Sequence, residues 1–437
     1  MLLQNTLRAL LLLPLISVIS LAQATLTGSP ITGDVIRPRL ASELQATNVL
    51  LGNLAVSAIA DDNNNNSTVH PIGGSQYYFA PAIALQQSWR HLSWNLGYAP
   101  GLRLYVPSSS MPDQLTQSFG GTLHWDISKR LAVGLRQDYL RTDDPFQQFG
   151  RAPLQSNLGI LSRPPDLLFS NFRYSQLLSE AELDYKLGKH TLAGVNGSFM
   201  RVERDQHQMR NQGFINTRNS SGSAFLSHQF TARQSIGMQY QLLNMLFQGD
   251  SHTITQGLFL FDQIAFSPHA TCTLFAGPQY SHIDNQEAIN SQSIVVRIPG
   301  SKTLWSPAAG GMLRWERDRT AFYADATRRV SAGLGLLSSV EMNEANLDIR
   351  RKVTPRWIAN VSGQLSDDTL LGAASSGHIQ MWTIGAGITR ELSRDMHVRL
   401  AYQHIRRSGD YLSASGFGNH NRLLLTFERS FAWSVGR

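Results

Sequence analysis

The stretch Arg130-Leu131-Ala132-Val133-Gly134-Leu135-Arg136-Gln137-Asp138-Tyr139 decides the fold. Successive side chains of a β-strand point to opposite faces, so Leu131, Val133, Leu135 and Tyr139 share one side while Gly134, Arg136 and Asp138 share the other. Wound as a helix, the same residues would mix the two sets. The stretch therefore reads as a strand with one apolar face and one polar face.

The same alternation recurs along the chain. Leu92, Trp94, Leu96 and Tyr98 oppose Ser93, Asn95 and Gly97; Ile236, Met238, Tyr240 and Leu242 oppose Ser235, Gln239 and Gln241. Met396, Val398, Leu400 and Tyr402 oppose His397, Arg399 and Gln403. Short turns are expected near Arg90, Ser128, Gly188, Ala232, Pro268, Asp318, Thr354 and Arg394, each joining two long strands. Longer polar connections are expected at 61–74, 142–170, 204–215, 285–301 and 408–418, while short ones around Gly249 and Leu336 fit either end. A strand over 44–60, with Val49, Leu51 and Ala55 on one face, precedes the first hairpin, and 422–433 closes the series. One strand, eight hairpins and a closing strand give about eighteen strands, with 16 as the alternative. An even number places both chain ends in the periplasm.

This pattern predicts an all-β, antiparallel, up-and-down transmembrane barrel in the cell outer membrane. An unpaired backbone group in hydrocarbon costs several kcal/mol, so strands cross lipid only as a sheet without edges. Composition agrees. Charged residues are 16% of the 437, against about 25% in soluble domains, as expected when the outer band faces lipid. Mean hydropathy is −0.19, and beyond the first two dozen residues no apolar run approaches the roughly 20 residues of a spanning helix. A soluble β-propeller is the competing fold, but its repeats carry four short strands rather than two long ones.

Residues 1–24 read as a signal peptide, with Arg8, an apolar run from Ala9 to Leu21 and Ala22-Gln23-Ala24 as the cleavage site. Residues 25–42 are then a periplasmic N-terminal segment and 43–437 the barrel.

Little in the sequence points to catalysis. Cys272 is the only cysteine, which excludes an internal disulfide and a cysteine-rich metal site. Histidines such as His91, His124, His190, His228, His269 and His397 are scattered without an H-x-x-x-H pair, so no metal is expected. There is no nucleophile elbow, P-loop or dinucleotide fingerprint, and no cofactor is expected. Asp61-Asp62 with His70, and Asp143-Asp144, are acidic groups at the outer rim that an aspartyl-type barrel protease could use, a less favoured reading than solvated loop residues. The formal charge is +7, but no basic run interleaves with aromatics, so nucleic acid is not an expected partner.

Function is expected inside the barrel. Arg136, Arg314, Arg350, Arg356 and Arg399 are assigned inwards, with Asp126, Asp138, Asp184, Glu316 and Asp348. The solute-contact candidates among these are Arg136, Asp138, Arg314, Arg350, Arg356 and Arg399. Planar Arg donors pair with carboxylates and phosphates, so net charge and Arg richness suggest anion preference; mutual neutralisation across neighbouring strands is the plainer reading. The segment 142–170, with Pro145, Pro153, Pro164, Pro165, Phe146, Phe149, Leu167 and Phe169, is expected to be either a constriction loop or an extracellular cap.

Two stretches carry a family resemblance. Leu423, Leu425, Phe427, Phe431 and Trp433 alternate in the final strand, which resembles the signal read by the barrel-assembly machinery, although Ser434 to Arg437 follow the last aromatic. Leu54-Ala55-Val56-Ser57-Ala58-Ile59-Ala60, followed by Asp61-Asp62-Asn63, resembles the opening strand and loop of the outer-membrane β-barrel porin family. That resemblance implies a pore, and for some relatives a link to exopolysaccharide export. The implied partners are membrane lipid and lipopolysaccharide, the assembly machinery, and a small polar solute or polysaccharide. The competing function is a loop-plugged structural or surface-interaction barrel.

Overall fold

The computed structural model describes residues 48–63, 71–106, 114–142, 174–204, 216–247, 251–291, 294–331, 339–371, 377–409 and 419–435, with side chains left out at 204 and 285–299. The expected signal peptide, the 25–42 segment and nearly all of 142–170 lie outside the described residues.

Eighteen strands follow one another in chain order: β1 (Val49–Asp61), β2 (Gly74–Ser88), β3 (Leu92–Val106), β4 (Gln114–Asp126), β5 (Leu131–Thr142) and β6 (Tyr174–Lys186). Then come β7 (Thr191–Arg204), β8 (Thr217–Thr231), β9 (Gln234–Phe247), β10 (His252–Ser267), β11 (Ala270–Ser291) and β12 (Ile294–Arg317). The last are β13 (Thr320–Ser331), β14 (Val340–Thr354), β15 (Trp357–Leu370), β16 (His378–Glu391), β17 (Met396–Ser408) and β18 (His420–Ser434). Each pairs antiparallel with the next, and β1 pairs with β18 from Val49↔Ser434 to Asp61↔Arg422. The sheet is closed, so no strand offers an unpaired edge.

All eight expected short turns lie at the end of the barrel that carries both chain ends, which is the periplasmic arrangement. Four of them share one device, in which a Ser or Thr hydroxyl accepts the backbone N–H two residues on. Ser128 accepts from Arg130 (3.2 Å), Thr231 from Arg233 (3.1 Å), Ser267 from His269 (3.1 Å) and Thr354 from Arg356 (3.3 Å). Such local bonds replace ladder bonds where the chain reverses. Asp318 turns with φ of 43°, a conformation Asp tolerates better than most residues. The connections around Gly249 and Leu336, which fitted either end, join strands at the outer end. The connection expected over 285–301 is instead strand: β11 and β12 run on in register to Ser291↔Ile294.

The outer surface is apolar, as the alternation requires. Val56, Phe79, Leu96, Leu135, Val195, Met238, Leu260, Ile384 and Leu425 all stand exposed on it. Trp125 and Trp433 mark its periplasmic rim beside the Trp89–Trp94 pair, whose ring centroids lie 6.5 Å apart, as expected of an interfacial aromatic girdle. On β1 the face holding Val49, Leu51 and Ala55 is the inward one, shared with Asn53, Ser57 and Asp61; Leu50, Leu54 and Val56 meet lipid.

The inner surface departs from polar-in at one sector. Phe225, Phe259 and Phe261 are buried there, and the Phe259 and Phe275 rings meet edge to face at 6.0 Å. Three of the inward rings sit close against glycines of neighbouring strands: a Cβ on Gly194 would sit 2.4 Å from Phe225, one on Gly237 2.3 Å from Phe261, and one on Gly310 2.5 Å from Phe275. Glycine leaves the space that lets a ring pack this closely against the wall.

Pairing of β12 with β13 stops at Ala309↔Arg328. Two residues further on, Pro307 has no N–H for the next rung, and the N–H of Val330, which would have faced it, donates to Oε1 of Gln279 on β11 at 3.1 Å. Beyond this point Val330 and Leu371, outward by alternation, pack on Met245, Phe247 and Ile283, which are inward by alternation. An outward face meets an inward face only where the sheet overlaps itself. The outer ends of β13 to β15 therefore turn in beneath β9 to β11 and narrow the outer mouth.

Candidate solute pathway

The candidates fall into three groups spaced around the wall. On β5, Arg136 Nε lies 2.5 Å from Asp138 Oδ2, two residues along the same face, and a guanidinium nitrogen lies 3.5 Å from Glu180 on β6, its register partner. All three side chains are under 15% exposed. Gly120 makes the room: a Cβ there would come within 2.7 Å of Asp138 Oδ1.

The second group spans β12 to β14. Arg314 and Glu316 are paired at 3.2 Å, with side chains 33% and 28% exposed. Arg314 is level with Tyr323 and Asp348, and Glu316 with Ala321 and Arg350. The register thus sets two cations and two carboxylates in opposed rows near the periplasmic end, where two strands' separation is about 10 Å. Arg399 is alone of the candidates on β17, inward between Thr389 and Thr426.

Arg356 is a correction. It was expected to face inwards from a strand, but it sits exposed in the turn between Thr354 and Trp357, where Pro355 stops the ladder.

A further polar cluster at the outer end escaped the sequence reading. Asp61 accepts from His420 Nδ1 at 3.1 Å and from the backbone N–H of Asn63 at 2.9 Å, and it forms an ion pair with Arg422, whose Nε lies 3.3 Å away. Arg407 is buried in the same region. The signal was present as alternate residues: His420 and Arg422 on one face of β18, and Arg407 two past Ile405 on β17. Asp62 bonds instead to Asn421, at 2.7 Å to its backbone N–H. His70, Asp143 and Asp144 lie outside the described residues. No cluster of three potential metal ligands occurs among the described residues.

An edge-free sheet whose exterior carries a lipid-compatible apolar band, with ionised groups kept to the interior and the rims, has one compatible setting. The chain is an outer-membrane β-barrel. No family model and no curated protein matches its sequence. Solved structures similar to the barrel include OccK1 (OpdK) of Pseudomonas aeruginosa, at 10% identity over 88% of this chain and 99% of that one, with a TM-score of 0.42. OccK2 (OpdF) of the same organism, in complex with glucuronate, shows 9% identity over 89% and 100%, with a TM-score of 0.45. OccAB4 of Acinetobacter baumannii shows 8% identity over 89% and 99%, with a TM-score of 0.44. At this degree of likeness they add nothing to what the barrel's own geometry carries.

Proposed function

We propose that the barrel is a passive conduit for small polar solutes, narrowed at its outer mouth by the inturned ends of β13 to β15. The observation that carries this reading is the accessible charge of both signs on the inner wall towards the periplasm. Arg314 and Glu316 keep about a third of their surface accessible, and Asp126 keeps 51%. Charges enclosed by lipid remain ionised at acceptable cost only when water reaches them.

Anion preference is the finer reading. It is favoured by the formal charge of +7 and by the predominance of arginine among the basic residues, whose planar forks match carboxylates and phosphates. The family resemblance adds an exported polysaccharide as a second class of cargo; the narrowed mouth favours the smaller solutes. Lipopolysaccharide, membrane lipid and the assembly machinery are the partners this setting calls for. Asp61 is engaged by His420 and Arg422, and we assign it no catalytic role.

A plugged, structural barrel is the second reading. It is favoured by the near-complete burial of inward residues at the outer ends of the strands, among them Tyr105, Thr116, Thr142, Val202, Thr217, Met245 and Ile405. Reconstitution into planar bilayers separates the two. Stable conductance steps, with reversal potentials in a salt gradient that favour anions, are expected of the conduit. Persistent silence from a barrel that still shows heat-modifiable mobility would establish the plugged form instead.

A further inference from the structure

We propose that the outer face of β7 and β8 holds a binding site for the phosphate of a phosphorylated glycolipid in the outer leaflet. Arg201 on β7 stands directly opposite Arg218 on β8. Both point away from the lumen, since Val202 and Thr217, which alternate with them, are the buried inward residues. The outward ladders closer to the periplasm are apolar, with Val195 and Phe199 on β7 and Leu226 on β8, and Leu246 of β9 lies opposite Arg218. From Thr191, at the periplasmic start of β7, to Arg201 is a climb of ten residues. At ~3.3 Å per residue along a strand tilted by about 40°, that is roughly 25 Å, the height of an apolar band. The two arginines thus stand at the level of the outer-leaflet headgroups.

Like charges placed directly opposite on a sheet repel. Glu203 pairs with Arg201, yet no carboxylate pairs with Arg218 among the described residues, and the buried Nε of Arg201 has no acceptor. The two guanidinium groups border a groove of about 290 Å³ with Ser220, Phe199 and Leu246. Guanidinium forks match phosphate oxygens, a hydroxyl adds a donor, and the apolar floor continues into the lipid band. A ligand with a phosphate joined to an acyl-bearing body satisfies all of these at once, whereas a free anion would leave the floor unused. This inference goes beyond the conduit reading and is independent of it.

The test uses the full barrel purified in detergent, with bis-phosphorylated lipid A as the probe and native mass spectrometry as the readout. Retention by the unaltered protein is expected to fall about tenfold in the Arg201→Gln/Arg218→Gln double variant, which lacks both charge-assisted forks. Arg141→Gln, an exposed position at the outer end of β5, should retain the lipid normally. Dephosphorylated lipid A should bind the unaltered protein no better than it binds the double variant. Equal retention by the double variant, equal binding of the dephosphorylated lipid, or displacement by inorganic phosphate or phosphatidylglycerol would each overturn the proposal. Heat-modifiable mobility reports folding; should the double variant fail it, Arg218→Lys keeps the charge without the fork and is expected to lose several-fold, with unchanged retention again overturning the site. Conductance is measured separately, so a silent barrel leaves this result intact.

Discussion

The hydroxyl of Thr253 on β10 lies 3.2 Å from that of Ser339, the residue that leads into β14 four strands further round the wall, and both are fully buried. In a simple cylindrical wall four strand spacings amount to roughly 19 Å. The contact exists because the outer ends of β13 to β15 pass inside those of β9 to β11. Thr253→Cys with Ser339→Cys, in a Cys272→Ser background, should therefore cross-link on mild oxidation, since facing hydroxyls at this distance suit disulfide geometry. A non-reducing gel of the folded barrel reads the result, and failure to cross-link would mean the mouth is not infolded.

The close packing of the inward phenylalanines on the wall predicts a glycine effect. A Cβ on Gly237 would meet Phe261 at 2.3 Å and the Leu226 carbonyl oxygen at 2.4 Å. Backbone cannot move aside as a side chain can, so Gly237→Ala should destabilise by about 1–3 kcal/mol. Gly188, with nothing within 4 Å of its virtual Cβ, should tolerate alanine to within about 0.5 kcal/mol. Urea titration of the barrel in detergent, followed by tryptophan fluorescence, compares the two.

The Arg136 group links stability to selectivity. Asp138→Asn leaves Arg136 with only the more distant Glu180, at 3.5 Å. For side chains this deeply but incompletely buried, the loss should be about 1–3 kcal/mol, below that of a fully buried pair. The same change removes a negative charge from the inner wall, so the reversal potential should move towards anions, and Arg136→Gln should move it towards cations. Identical reversal potentials in both variants would show that these charges do not face the permeating ions.

Lipid contact can be tested by depth. Val195 is outward and midway along the apolar part of β7, so Val195→Arg places a charge near the bilayer midplane at a cost of about 2–4 kcal/mol. Reversible refolding into lipid vesicles measures it. A cost near zero would contradict the assignment of that face to hydrocarbon.

Much of the barrel was legible before any coordinates, because its logic is local. Alternation sorts residues such as Leu135 and Arg136 onto opposite faces, and a Ser or Thr two residues before a backbone donor marks where the chain reverses. The count of about eighteen strands and the side of the eight short turns follow from continuity and parity, whereas the connections around Gly249 and Leu336 fitted either end. The inward aromatics on β10 went unread, although Leu258-Phe259-Leu260-Phe261 is apolar on both faces, the pattern of a strand covered on both sides. Arg356 was misplaced because a two-residue turn shifts the alternation just where Pro355 interrupts it.

What the chain alone determined was therefore the closed sheet, its orientation and the facing of most strands, since these depend on residues one or two apart. What only the tertiary structure decided was how distant strands meet. Met245 lies on Leu371, Thr253 reaches Ser339, and Asp61 joins His420 and Arg422 across the closing seam, all through registers and wall curvature. No short-range periodicity encodes those, because a missing N–H at Pro307 has its consequence in a different part of the circumference.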